Sequence, residues 1–184
     1  MRLKTRRIHV VGASGAGATT LGRALATALA IPHHDTDDYF WRPTSPPYRE
    51  MRPVPDRLRL MEEMFLSRGE WVLSGSVQGW GQAIAPLFDL VVFLSVGAEV
   101  RLQRLLERET RLFGADAVGR GGWRFQETQT FLEWASHYED GTREGRSRAR
   151  HEAWLATLSC PVLRLDGARE TKELAAEIVS AASL

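Results

Sequence analysis

The residues best suited to chemistry lie near the N-terminus. Gly12-Ala13-Ser14-Gly15-Ala16-Gly17-Ala18-Thr19 matches the pattern G-x-x-x-x-G-K-[ST] at each fixed position but one, with Ala18 where the lysine belongs. Small residues let the backbone curl until successive N–H groups point inward at a phosphate. A helix beginning here adds the positive end of its dipole. The Thr19 hydroxyl is placed to ligate Mg²⁺, and with Thr20 the run forms the expected seat for Mg-ATP. A loop lysine bridges the β- and γ-phosphates during transfer. Without it, positive charge must come from elsewhere, and arginines are the obvious source: of 24 basic residues only Lys4 and Lys172 are lysines.

A second group is acidic. Asp35, Asp37 and Asp38 stand at the carboxyl end of the expected second strand, the edge that faces ligand in a parallel sheet. Read as a strand, alternation puts Asp35 and Asp37 on one side and Asp38 on the other. Asp37 is the leading candidate both for a base that takes a proton from a substrate hydroxyl and for a partner of the metal. Asp35 and Asp38 stand behind it as substrate contacts. An N-cap with exposed loop charges is the structural alternative.

The third group is basic. Arg101, Arg104, Arg108 and Arg111 fall within roughly an 80° arc of one helix, beside an apolar arc of Leu102, Leu105, Leu106, Leu112 and Phe113. Four like charges in a row repel unless an anion meets them, and arginine binds phosphate through paired donors. Arg104 and Arg108 are the candidates for catalytic charge, against a plain solvated face. Arg120, Arg124, Arg143, Arg146, Arg148 and Arg150 frame a polar stretch that reads as a lid. Phe131, Trp134 and Tyr138 within it have the spacing of a packed helix face. Gln78, Trp80 and Arg42, with Arg49 and Arg52, are candidates for acceptor contact. His33-His34 lacks a partner at metal spacing and reads as strand-end structure.

These groups must be positioned by alternating elements. Apolar runs at 8–11, 71–73, 90–94 and 162–165 read as strands, with a further short strand at 33–36. Helices are expected at 17–30, at 56–67 with Asp56 as cap, at 98–113, 126–139 and 147–157, and from about 170. Residues 41–55 hold five prolines and read as an irregular excursion. Strands separated by helices imply βαβ units and a parallel sheet covered on both faces.

The chain's 184 residues suit one domain, and a formal charge of +1 gives no support to a general nucleic-acid or membrane-surface binder. The lone Cys160 excludes an internal disulfide and a cysteine zinc cluster and fits a reducing compartment. No run reaches the ~18 to 20 apolar residues of a membrane helix. The apolar run after Arg2, Lys4, Arg6 and Arg7 is too short for a signal peptide. A cytoplasmic protein, monomer or homodimer, is expected.

Taken together, the loop at 12–19, Asp35-Thr36-Asp37-Asp38-Tyr39-Phe40-Trp41, Trp71-Val72-Leu73-Ser74-Gly75-Ser76 and the arginine-rich helix resemble the small P-loop kinases. These are adenylate-, shikimate- and gluconate-kinase-like proteins, above all the bacterial group labelled DNA-topology-modulation proteins. The resemblance covers most of the chain. In those relatives the loop lysine is usual and the third strand commonly ends Asp-Gly; here Ala18 and Ser74 occupy the positions. The resemblance implies an α/β three-layer sandwich whose five-stranded parallel sheet has the order 2-3-1-4-5. It also implies a single domain over 1–184, a substrate-binding segment at 38–70 and an arginine-bearing lid at 111–150. The expected activity is phosphoryl transfer from ATP to a small-molecule or nucleotide acceptor. A nucleotide-binding regulator without transfer is the alternative.

Overall fold

The computed structural model describes residues 6–182; Arg2 and Lys4 of the basic N-terminal stretch lie outside them. Five strands form the framework: β1 (Arg6–Gly12), β2 (His33–Asp35), β3 (Glu70–Ser74), β4 (Leu90–Ser95) and β5 (Val162–Asp166). They make one parallel sheet of order β2-β3-β1-β4-β5, the expected topology. The helices are α1 (Ala18–Leu29), α2 (Thr36–Phe40), α3 (Val54–Met61), α4 (Ala98–Phe113), α5 (Ala115–Val118), α6 (Phe125–Ser136), α7 (Arg148–Leu155) and α8 (Thr171–Ala182). No helix among the described residues is long and apolar enough to cross a membrane.

The central strands are apolar on both faces because each face meets a helical layer. Ile8, Val10, Val72 and Val92 pack with Leu21 and Leu25 of α1 and Leu174 and Ile178 of α8. Val11, Leu73, Val91 and Phe93 point the other way, onto Met61, Phe65 and Trp154. Burying one such leucine or isoleucine contributes about 2 kcal/mol. The second layer also contains fully buried His9, whose Nδ1 donates to the Leu73 carbonyl at 3.2 Å while its ring stacks 4.7 Å from Phe88.

Two local expectations are corrected. The helix expected from Asp56 begins at Val54, with Pro53 as its cap and Asp56 in the first turn. Proline is tolerated there because first-turn N–H groups have no intrahelical partner. The proline-rich excursion before it is closed at its base, by an antiparallel bridge between Trp41 and Met51 and by Arg42 N–H donating to the Glu50 carbonyl at 2.8 Å. The second correction concerns α4. Leu106 and Leu112 are exposed, and the buried stripe is Arg101, Leu105 and Glu109. Charge is tolerated inside because each group is met: Arg101 by backbone carbonyls, and Glu109 by Arg124 Nε at 3.2 Å and the Thr128 hydroxyl at 3.4 Å.

Buried histidines make the fold acid-sensitive. Desolvation lowers His9 to about 3 and His151 to about 4. Both folded values lie below the unfolded value of ~6.5, so the unfolded chain takes up protons first and stability falls as pH drops below it. Each histidine should cost about 2 kcal/mol by pH 5. Urea midpoints at pH 7.5 and pH 5 check this, and His9→Gln, if it folds, should flatten the dependence.

Candidate active site

β1 ends at Gly12 and the chain turns through Gly15 (φ +83°) and Gly17 (φ +95°) into α1. A Cβ at Gly15 would stand 2.5 Å from the Arg101 carbonyl oxygen, so the loop is pressed onto the start of α4. Gly17 caps α1 without a side-chain bond, and the first turn carries no acidic residue. The positive end of α1 is thus left to an external anion. From below, Arg101 fixes the loop: fully buried, it donates through Nη1 to the Ser14 and Ala135 carbonyls, both at 3.3 Å, and through Nε to the Val96 carbonyl at 3.2 Å.

Thr19 joins this loop to the carboxylates. Its hydroxyl donates to Asp35 Oδ2 at 2.7 Å. Asp35 Oδ2 also receives Ser74 Oγ at 3.4 Å, and Ser74 is hydrogen-bonded to His33 Nε2 at 2.9 Å. Strand alternation does not apply to the aspartates, because β2 stops at Asp35. Asp35 N-caps α2, accepting the Asp37 N–H at 3.0 Å, and places Asp37 and Asp38 in the first helical turn. The carboxylate on the Thr19 hydroxyl is therefore that of Asp35, not Asp37. Asp37 is partly buried. Desolvation and the neighbouring Asp35 push its carboxyl up, while Arg146 and Arg108 pull it down. Asp38 is exposed, and desolvation also raises it.

The remaining expected residues divide. Arg108 lies over the Phe131 ring at 5.7 Å, with its charge felt at Asp37. Arg104 reaches the loop after β5, donating to the Gly167 carbonyl at 3.0 Å beside Gly17. Trp80 stands against Phe40 and is anchored by its indole N–H to the Ser76 carbonyl at 3.2 Å; the Gln78 N–H bonds Ser76 Oγ at 3.3 Å. Arg42 is turned outward into an ion pair with Glu50 at 3.2 Å. Thr20 is exposed on α1.

Two residues escaped the sequence reading, and a third, Arg146, was read only as one of the lid arginines. Arg57 is buried over Phe40 at 3.7 Å and Trp80 at 5.3 Å, between the excursion and the β3 loop. Tyr48, on a left-handed backbone (φ +65°) with its ring against Trp41, has its hydroxyl raised by desolvation and by the charge of Asp37. Arg146 lines a small cleft with Ser14, Trp134, Ala135 and Tyr138. Neither Arg57 nor Tyr48 carries a sequence signal for its position, and Arg146 was visible only as one arginine among many.

Topology defines the class. The chain has a P-loop kinase fold, superposing on the shikimate kinase of Acinetobacter baumannii solved with shikimate at a TM-score of 0.56, with 18% identity, 97% of this chain and 93% of that one covered. It belongs to the family of the uncharacterized protein YqaC of Bacillus subtilis (strain 168), with which it is 44% identical over 161 residues, 88% of each chain. A shorter match, 32% identical over 112 residues, links it to shikimate kinase 2 of Yersinia enterocolitica, over 56% of this chain and 64% of that one. No family model matches the chain.

The Asp37 environment has a thermodynamic signature. A carboxyl raised in the folded state contributes stability below its ordinary pKa and loses it as pH climbs through the folded value. At pH 7 the ionised group therefore opposes folding, and Asp37→Asn should raise the melting temperature by roughly 2–4 °C for each kcal/mol relieved. Melts of both proteins from pH 4 to 8 should show the gap opening with pH.

Proposed function

We propose that the chain is an ATP-dependent phosphotransferase acting on a small-molecule or nucleotide acceptor. The observation that carries this reading is the 2.7 Å bond from Thr19 to Asp35, which joins an uncapped glycine-loop helix terminus to a carboxylate group flanked by arginines. The residues fit a bound triphosphate: Gly12, Ala13, Ser14, Gly15, Ala16, Gly17, Ala18 and Thr19 supply a cradle of backbone N–H groups, with Thr20 at its edge. They also suit Mg²⁺. Among the described residues no cluster of three or more His, Cys, Asp or Glu could hold a metal. A cation kept by Thr19, one carboxylate, water and phosphate oxygens needs no such cluster. Asp35, bonded to Thr19, suits that carboxylate, with Asp37 two residues on in the first turn of α2.

ATP supplies the γ-phosphoryl group. Asp37, desolvated yet facing Arg108 and Arg146, accepts the proton of the acceptor hydroxyl as that oxygen bonds to phosphorus and the bond to the ADP oxygen breaks. Arg104 and Arg108 face the phosphate side. Asp38, Gln78 and Trp80 border the acceptor, with segment 38–70 forming its walls and 111–150 the lid; Arg42 is placed to meet it only at the rim. Shikimate kinases among the similar proteins favour a small hydroxylated acid as acceptor. Ala18 favours a second reading, a nucleotide-binding regulator that transfers nothing.

Mg-ATP should raise the melting temperature. An acceptor from a panel of hydroxy acids, sugar acids, nucleosides and nucleoside monophosphates should lift ADP release above the buffer rate. Asp37→Asn should lower kcat by about 10²- to 10⁴-fold. The acid limb of kcat should lie above the ordinary carboxylate range, since activity needs ionised Asp37 and its pKa is raised. Nucleotide binding with no responsive acceptor would leave the regulator reading, and no nucleotide-dependent shift would remove both.

A further inference from the structure

Which charge replaces the loop lysine can be read from what each nearby arginine already does. Arg101 is committed to three backbone carbonyls and Arg104 to Gly167. Arg124 bonds Glu109 and Glu127, Arg143 bonds Glu133, and Arg148 bonds Glu139. Among the described residues, Arg23, Arg108 and Arg146 lie near the carboxylates without a side-chain hydrogen bond or ion pair; Arg23 is exposed and acts on Asp38, whereas the charges of Arg108 and Arg146 are felt at Asp37.

Their placement is built rather than incidental. Phe131, Trp134 and Tyr138 line one face of α6 and its extension, and each carries a guanidinium: Arg108 over Phe131 at 5.7 Å, Arg146 over Trp134 at 5.9 Å and Arg101 over Tyr138 at 5.1 Å. The segment presenting Arg146 is clamped on both sides. Trp134 Nε1 donates to the Glu144 carbonyl at 2.9 Å, Arg150 donates to the Gly145 carbonyl at 2.9 Å, and Ser147 caps α7 through the Arg150 N–H. Arg146 and Ser14 of the phosphate loop line the same cleft. Two guanidiniums with uncommitted donors, next to an uncapped helix terminus, are suited to take a polyanion between them.

We propose that Arg146, seconded by Arg108, supplies at the terminal phosphate of a bound nucleoside triphosphate the positive charge that a lysine at position 18 would bring. This rests on the phosphotransferase reading above and names the phosphate-binding residue within it. Burial already disfavours the Arg146 cation and Asp37 only partly offsets this, so an arriving phosphate stabilises it further.

Calorimetric binding of Mg-ATP and Mg-ADP to the full chain tests the assignment without an acceptor. Arg146→Gln should weaken ATP about 10- to 100-fold and ADP less than about 3-fold, roughly the loss of one charge-assisted contact. Adding Ala18→Lys to that variant should recover most of the ATP affinity. Arg146→Met, which keeps the stem over Trp134, substitutes if the glutamine variant does not fold. An unchanged ATP-to-ADP ratio in a wild type that binds ATP overturns this assignment alone. A wild type that binds neither nucleotide overturns the phosphotransferase reading and the assignment with it.

Discussion

The site depends on one buried cation. Arg101 is fully buried, and its donors reach the exit of β4 at Val96, the phosphate loop at Ser14 and the last turn of α6 at Ala135. Removing such a group from water is costly, and the cost is tolerable only because carbonyl oxygens replace the water. Glu139 stands 3.9 Å from the remaining nitrogen and offers only a distant counter-charge. Three chain segments remote in sequence are thereby held to one atom group, so the geometry of the loop is a property of the whole molecule. A packed leucine at this position would leave three carbonyls unsatisfied and the loop unmoored.

A second network mirrors the first on the acceptor side. His151, kept neutral by burial, is hydrogen-bonded to Ser76 at 3.1 Å and to the Tyr138 hydroxyl at 2.8 Å. Ser76 in turn anchors Trp80, and Tyr138 lies under Arg101. The loop after β3, the end of α6 and the phosphate loop are therefore linked through side chains that are almost wholly buried. That rigidity suits a site whose reacting groups must be held within fractions of an ångström.

Much of this was legible in the sequence, for physical reasons. Strands buried on both faces leave unbroken apolar runs, so Leu90–Leu94 announced its position and the sheet order followed by resemblance. The phosphate loop was legible because glycine spacing reflects a backbone requirement. The aspartates were legible only in part: strand alternation does not hold for them, because the capping bond from Asp37 N–H to Asp35, the alternative that the sequence also allowed, turns the chain into a helix. Arg101 was legible only as one arginine of the stripe on α4; its burial was not, since an arginine on an amphipathic helix looks like surface until three carbonyls from elsewhere converge on it. Arg146 was hidden for a related reason. It sits in an aperiodic segment between α6 and α7, and its neighbours Ser14 and Asp37 come from the other end of the chain.

That last separation bears on biosynthesis. A lysine at position 18 would be carried by the loop itself, among the first residues made. Here the N-terminal half emerges with a glycine cradle of neutral residues, and the uncommitted guanidinium nearest it arrives only when α6 and α7 have been made and docked. Domains fold as units, and the cradle itself takes shape only when β3, β4 and Arg101 have closed around β1 and its loop. On the proposed reading, the grip on a polyanion would then be a property of the finished molecule alone.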